Sequence, residues 1–111
     1  MNAPFPVLLF YKYVPIADPF ALVELHRAVC SRHSLKGRIL IAAEGINGTV
    51  AGPEEGIRAY IDLLRHDPRF ADMEIKTSAG DASTFPKLSV KVRPEIVTLG
   101  AGTDLQADLD N

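Results

Sequence analysis

Two groups of residues in this chain carry side chains suited to recognition chemistry. The first is Glu44, Gly45, Asn47 and Gly48, within the run Ala43-Glu44-Gly45-Ile46-Asn47-Gly48-Thr49. Glycine lets a ligand or a neighbouring chain come close to the backbone, and Asn47 offers both a donor and an acceptor. The four are candidates for lining a cleft or an interface between domains. Local chemistry favours a plainer reading, in which Asn-Gly between apolar runs is a hairpin turn. The second group is basic and aromatic: Lys12, Lys36, Arg38, Lys87, Lys91 and Arg93, with Tyr11 and Tyr13. Cations arrayed on one surface gain affinity for a nucleic acid by neutralising phosphates and releasing counterions. Tyrosines on an uncovered strand face stack on unpaired bases. The same charges also suit solvated strand edges that discourage aggregation, and the tyrosines fit a sheet core somewhat better than a stacking platform.

Other residues offer little chemistry. Cys30, the single cysteine, precludes an internal disulfide or a multi-cysteine zinc site, and its helical position suits a small buried hydrophobe. His26 and His33 have no carboxylate or cysteine at ligand spacing and read as ordinary helix residues. No metal site and no catalytic residue is expected. A net charge of −2 argues against a general polycation while leaving room for a local basic face. Hydrophobic residues make up 47% of the 111, enough for one globular domain without covalent staples. The start, Met1-Asn2-Ala3-Pro4, lacks the regions of a signal peptide and no apolar run approaches a membrane span, so a cytoplasmic protein with no membrane contact is expected.

The elements that must position these residues follow from pattern. Val7 to Val14 is a β-branched and aromatic run with Val7, Leu9, Tyr11 and Tyr13 on one face and Leu8, Phe10, Lys12 and Val14 on the other. Asp18-Pro19 starts a helix, the Asp capping free amides and the Pro needing no N–H. Leu22, Leu25, Val29 and His33 then mark one side of it. Arg38 to Ala43 is a second strand, Glu44 to Gly48 a connection, and Thr49 to Ala51 a short third strand. A second helix opens at Gly52-Pro53-Glu54-Glu55 with acids at its positive end. Its buried stripe is Ile57, Tyr60, Ile61 and Leu64. Met73 to Ser78 and Lys87 to Val97 are further strands, the latter confined to an edge or bent by Pro94. The order β-α-β-β-α-β predicts an α+β, ferredoxin-like (split βαβ) sandwich. Two helices would cover one face of an antiparallel sheet, with an extra C-terminal strand or extension. Residues 1–100 form that domain, and residues 101–111 read as an acidic tail or linker.

Three segments together resemble a known family: Leu8-Leu9-Phe10-Tyr11-Lys12-Tyr13-Val14-Pro15, the run from Gly37 through Ala43-Glu44-Gly45-Ile46-Asn47-Gly48-Thr49, and Lys91-Val92-Arg93-Pro94-Glu95-Ile96-Val97-Thr98-Leu99-Gly100. They are similar to the N-terminal domain of the rhodanese-containing tRNA uridine hydroxylases. The resemblance implies tRNA modification. Full-length members use molecular oxygen to convert the wobble uridine to 5-hydroxyuridine, and an essential cysteine sits in a loop of the rhodanese-like domain. It also implies two partners, the tRNA anticodon arm and a C-terminal rhodanese-like domain of the same polypeptide, toward which residues 101–111 would lead. Cys30, on a predicted helix, does not match the family's catalytic cysteine, so no cofactor or catalytic role is assigned to this chain.

The first expectation is therefore a tRNA-recognising domain that holds substrate for a catalytic domain. An alternative is a stand-alone domain that binds RNA or protein. A more distant one is a hydrolase resembling acylphosphatases, which share this topology. That chemistry needs an arginine-bearing anion cradle after the first strand. The loop Pro15-Ile16-Ala17-Asp18-Pro19 has no arginine and carries an acid.

Overall fold

A computed structural model describes residues 5–81 and 84–96 of the chain. The elements in chain order are β1 (Phe5–Tyr13), α1 (Pro19–Arg32), β2 (Lys36–Ala42), β3 (Gly45–Ala51), α2 (Glu54–Arg65), β4 (Ile75–Gly80) and β5 (Leu88–Val92). The strands form one sheet in the order β4-β1-β3-β2-β5. β3 lies between the parallel strands β1 and β2, and β1 lies between β3 and β4, so both βαβ units are split as expected. β5 adds beside β2 in the parallel sense, which makes the sheet mixed rather than wholly antiparallel. Pro94 falls just beyond this edge strand. The stretch 97–111, including the acidic tail, lies outside the described residues.

Burial follows the strand alternation. Leu8 and Phe10 of β1, Ile39 and Ile41 of β2, Ile46 and Val50 of β3 and Val90 of β5 point to the same side and form the core with both helices. From α2 the core takes Ile57, Tyr60 and Leu64, the expected stripe, with Ile61 half-buried. On α1 the buried side differs from the expected one. It runs through Leu22, Val23, His26 and Cys30, while Leu25 is 46% exposed. The rotation has a polar cause. It carries His26 to the Tyr60 hydroxyl, 2.7 Å from Nδ1, so two polar groups enter the core as a hydrogen-bonded pair. Asp18 accepts a hydrogen bond from the Ala21 amide at 3.1 Å and caps this helix as predicted.

The β2–β3 hairpin turns at Ala43-Glu44, not at Asn47-Gly48. Core pairing decides this. The observed register sets Ile41 opposite Ile46 and Ile39 opposite Gly48 on the buried face, whereas a turn at Asn47-Gly48 would swing Ile46 away from that face. Gly45, at φ 157°, instead serves close packing. A Cβ there would stand 2.1 Å from the Lys12 carbonyl oxygen on β1.

Candidate nucleic-acid interface

The helices cover one side of the sheet, and the other side carries most of the sequence candidates. Cross-strand rows define it. One row is Lys76, Leu9, Thr49, Arg38 and Ser89, running from β4 through β1, β3 and β2 to β5. The next is Tyr11, Asn47, Leu40 and Lys91, followed by Tyr13, Gly45 and Ala42. Leu9, Tyr11 and Tyr13 are 40%, 39% and 50% exposed, so β1 presents an apolar and aromatic stripe to solvent rather than to a core. The two tyrosine rings meet edge to face with centroids 6.3 Å apart. Beside them a hollow of about 100 Å³ is lined by Leu9, Phe10, Tyr11, Glu74 and Lys76.

The basic candidates separate into two sets. Lys36, Arg38, Lys87 and Lys91 belong to β2, β5 or the residue before β5. Arg93 follows β5, its amide donating to the Ile41 carbonyl at 2.9 Å. Lys36, Lys87 and Lys91 are exposed, Arg93 is half-buried, and Arg38 is 8% exposed. Arg38 lines the floor of a cleft below Phe85 and Pro86. Lys12 is not part of this surface. It points to the helix side, where its ammonium donates to the Arg69 carbonyl at 2.8 Å and pairs with Asp72, tying β1 to the segment after α2.

The four cleft candidates also divide. Asn47, 3% exposed, sits mid-strand between Tyr11 and Leu40 on the side away from the helices, where Leu40 and Ala42 are buried too, so that the middle of this face is closed to solvent and β1 is its open part. Gly48 faces the core, where the Phe10 ring packs over it so closely that a Cβ would come within 2.6 Å of that ring. Glu44 acts at a corner. Its Oε2 accepts from the Ile96 amide at 2.7 Å, and the Tyr13 hydroxyl donates to the Ile96 carbonyl at 3.4 Å. Together they grip both polar groups of Ile96, which is 5% exposed.

Lys76 and Leu9 were not among the sequence candidates. Leu9 shares the Tyr11–Tyr13 alternation and was legible from it. Lys76 depended on knowing that β4 pairs with β1 across this face.

Burial lowers the His26 pKa from 6.5 to about 4, with Asp67 opposing and Arg69 adding to the effect. Burial also pushes the Cys30 thiol up to about 12, which leaves it protonated and unreactive. Among the described residues no cluster of three or more His, Cys, Asp or Glu is placed to hold a metal ion. No helix of the described residues is long and apolar enough to cross a membrane. Asp18, in the loop after β1, is occupied in capping α1.

The profile of the UPF0176 acylphosphatase like domain matches residues 5–96. The chain belongs to this family. Among curated relatives, a tRNA uridine(34) hydroxylase of Onion yellows phytoplasma is 45% identical over 109 residues, covering 98% of this chain and 34% of that protein. One from Corynebacterium diphtheriae is 50% identical over 102 residues, covering 92% of this chain and 33% of that protein. The chain thus spans about a third of the length of these relatives, and it corresponds to their N-terminal part. Among solved structures, BlrB, a BLUF protein in its dark state, superposes with a TM-score of 0.63 at 26% identity, covering 96% of this chain and 86% of that one. That likeness supports the fold. The family's description names an acylphosphatase-like domain, and the loop after β1, from Val14 to Asp18, holds no arginine.

Proposed function

We propose that this domain holds tRNA for a uridine(34) hydroxylase, using the exposed β1 stripe on the side of the sheet away from the helices as its RNA surface. One observation supports the reading: a solvent-exposed Leu9-Tyr11-Tyr13 stripe on β1, with the exposed Lys76 beside it on β4 and the exposed Lys91 on β5 at the far edge of the sheet. Stacking on aromatic rings and neutralisation of phosphates are the two contributions that single-stranded RNA binding needs. The single-stranded anticodon loop is the matching part of a tRNA. The chemistry itself, oxygen-dependent conversion of the wobble uridine to 5-hydroxyuridine, belongs on this reading to a rhodanese-like domain. Molecular oxygen is its co-substrate, and the setting is cytoplasmic. Cys30 takes no part in it.

The test is tRNA binding by the chain in a salt series. Binding should weaken steeply with salt, and Lys76→Ala and Lys91→Ala should each lower the slope of log K against log salt by about 1. Lys12→Ala, on the other side of the sheet, should leave that slope unchanged. Absence of salt-sensitive tRNA binding overturns the reading.

A specific observation favours a second role alongside the first. Glu44 and Tyr13 hold Ile96, the last described residue, at the end of the tyrosine stripe. A rhodanese-like domain following that point would dock at this corner. Asn47→Ala in a two-domain protein separates the roles of this face: stability retained with modification lost marks function, and stability lost marks strand packing.

A further inference from the structure

The two edges of the sheet, β4 and β5, are finished differently. Hydrogen bonds at the strand ends fix which backbone groups face outward. On β5 the Gly37 amide donates to the Lys87 carbonyl at 3.0 Å, and the Arg93 amide donates to the Ile41 carbonyl at 2.9 Å. The alternate residues from Lys87 to Arg93 therefore turn their backbone to β2, and Leu88, Val90 and Val92 turn theirs outward. There α1 closes the edge. The Arg27 guanidinium donates to the Val90 carbonyl at 2.6 Å, and the exposed Lys87 and Lys91 flank it. Covering groups and lysines of this kind protect an edge strand against pairing.

On β4 no such cap is present among the described residues. The Val14 amide donates to the Glu44 carbonyl at 2.9 Å, one pair beyond Tyr13 and Gly45, so Lys12, Phe10 and Leu8 turn their backbone to β3. Leu9 and Val7 then turn to β4, opposite Lys76 and Ser78. The amides and carbonyls of Ile75, Thr77 and Ala79 face outward, without a partner among the described residues. Residues 76–79 are all exposed, the strand has no proline, and Lys76 is its one charge. These residues are complementary to themselves. Antiparallel pairing centred on Thr77 sets Thr77 against Thr77 of a second copy, Ile75 against Ala79 and Lys76 against Ser78. Threonine pairs are favourable across strands, and no like charges stand directly opposite. Centring on Lys76 would set two lysines face to face, and centring on Ser78 would leave Ile75 unpaired. A net charge of −2 on each copy opposes the approach little.

We propose that β4 pairs with β4 of a second copy of this chain, joining two five-stranded sheets into one of ten strands about a two-fold axis normal to the sheet. The helices of both copies then lie on one side, and the two Leu9-Tyr11-Tyr13 stripes lie together on the other. Three strand spacings, about 14 Å, separate the stripes across the axis. The pairing goes beyond the RNA reading and does not rest on it, because it uses the backbone of β4 and not the stripe.

Sedimentation of the chain over a concentration series, with hydrogen exchange on the same samples, tests the pairing. The mass should rise toward twice the 12.1 kDa of one copy, and the Thr77 and Ala79 amides should gain protection as it does. The Lys76 and Ser78 amides, turned to β1, should be protected at every concentration. Thr77→Pro removes an outward N–H without touching the β1 ladder and should give a folded monomer. Thr77→Lys, which opposes two cations on the axis, should do the same. A chain still monomeric at about 1 mM, where even a weak association shows, overturns the inference. So does a dimer whose Thr77 amide exchanges as fast as in the monomer, or one that persists in a folded Thr77→Pro or Thr77→Lys chain. Where Thr77→Pro does not fold, the lysine variant and exchange in the unaltered chain decide.

Discussion

Acid should destabilise this domain through one buried histidine. His26 is 1% exposed, its Nδ1 lies 2.7 Å from the Tyr60 hydroxyl, and Tyr60 and Phe70 approach its ring edge to face. Burial lowers its pKa from 6.5 to about 4, so the folded chain keeps it neutral where the unfolded chain protonates it. The sign is fixed by proton binding. Between pH 6.5 and about 4 the unfolded state holds more protons, so the His26 contribution is fully present above 6.5 and is lost as pH falls toward 4. The displacement corresponds to about 3 kcal/mol at full protonation, with a slope approaching about 1.4 kcal/mol per pH unit inside the window. That is a large share of the roughly 5–15 kcal/mol that holds such domains folded. The hydrogen bond from Arg69 lowers the Asp67 pKa, so its contribution is lost below the ordinary carboxylate range, in a separate and more acidic window. Urea unfolding followed by circular dichroism at a series of pH values, for the chain and for His26→Phe, isolates the effect. The variant carries a constant penalty from the unpartnered Tyr60 hydroxyl, whereas the difference between the two stability curves should change by about 3 kcal/mol between pH 7 and pH 4. A difference curve flat across that range would refute the argument and place the imidazole in contact with water.

Three further outcomes follow from the packing. Gly48→Ala sets a methyl within 2.6 Å of the Phe10 ring and should cost about 1–3 kcal/mol in denaturant unfolding, the usual penalty of overpacking. Cys30, fully buried with its thiol pushed up to about 12, should react with a thiol reagent only at the rate at which the chain opens, and labelling that outpaces unfolding would contradict its burial. Glu44→Ala removes the acceptor of the Ile96 amide, so hydrogen exchange at that amide should accelerate roughly ten- to a hundredfold while the core strands keep their protection.

The fold was largely legible because hydrophobic period and punctuation agreed. Asp18-Pro19 marked the start of α1, the stripe of α2 matched its buried side, and the alternation of β1 separated Leu8 and Phe10 from Leu9, Tyr11 and Tyr13. What alternation could not say was which of those two faces the helices cover. Both contain large side chains, and the choice depends on Ile39, Ile41, Ile46 and Val50 arriving on the same side from other strands. The hairpin was misplaced for a related reason. Asn-Gly is a strong local signal, but pairing Ile41 with Ile46 buries more apolar surface than a well-formed turn contributes. On α1 the periodicity named Leu25 and Val29, while the partner that draws His26 inward belongs to another helix. The parallel placement of β5, and with it the cleft under Phe85, likewise depends on a crossover whose route no local pattern encodes.

This division of the sheet has a consequence for the candidate surface. The contacts that hold the domain together, from Leu8 and Phe10 to the His26–Tyr60 pair, lie on the helix side, and the Lys12 tie to Asp72 and the Arg69 carbonyl is made there as well. Leu9, Tyr11, Tyr13, Lys76 and Lys91 extend from the opposite side and carry little of that packing. Their exposure has a price in solubility that a purely structural face would not retain, since a contiguous apolar stripe invites association unless something binds it. The grip of Glu44 and Tyr13 holds Ile96 at one end of the same stripe, and the Phe85 cleft lies on the same face, over β2 and β5. On the RNA reading, a strand lying on Tyr11 and Tyr13 would cross the sheet toward the exposed Lys91 and Lys87. Substitutions along this path should change affinity with little effect on stability, and those under the helices should do the reverse.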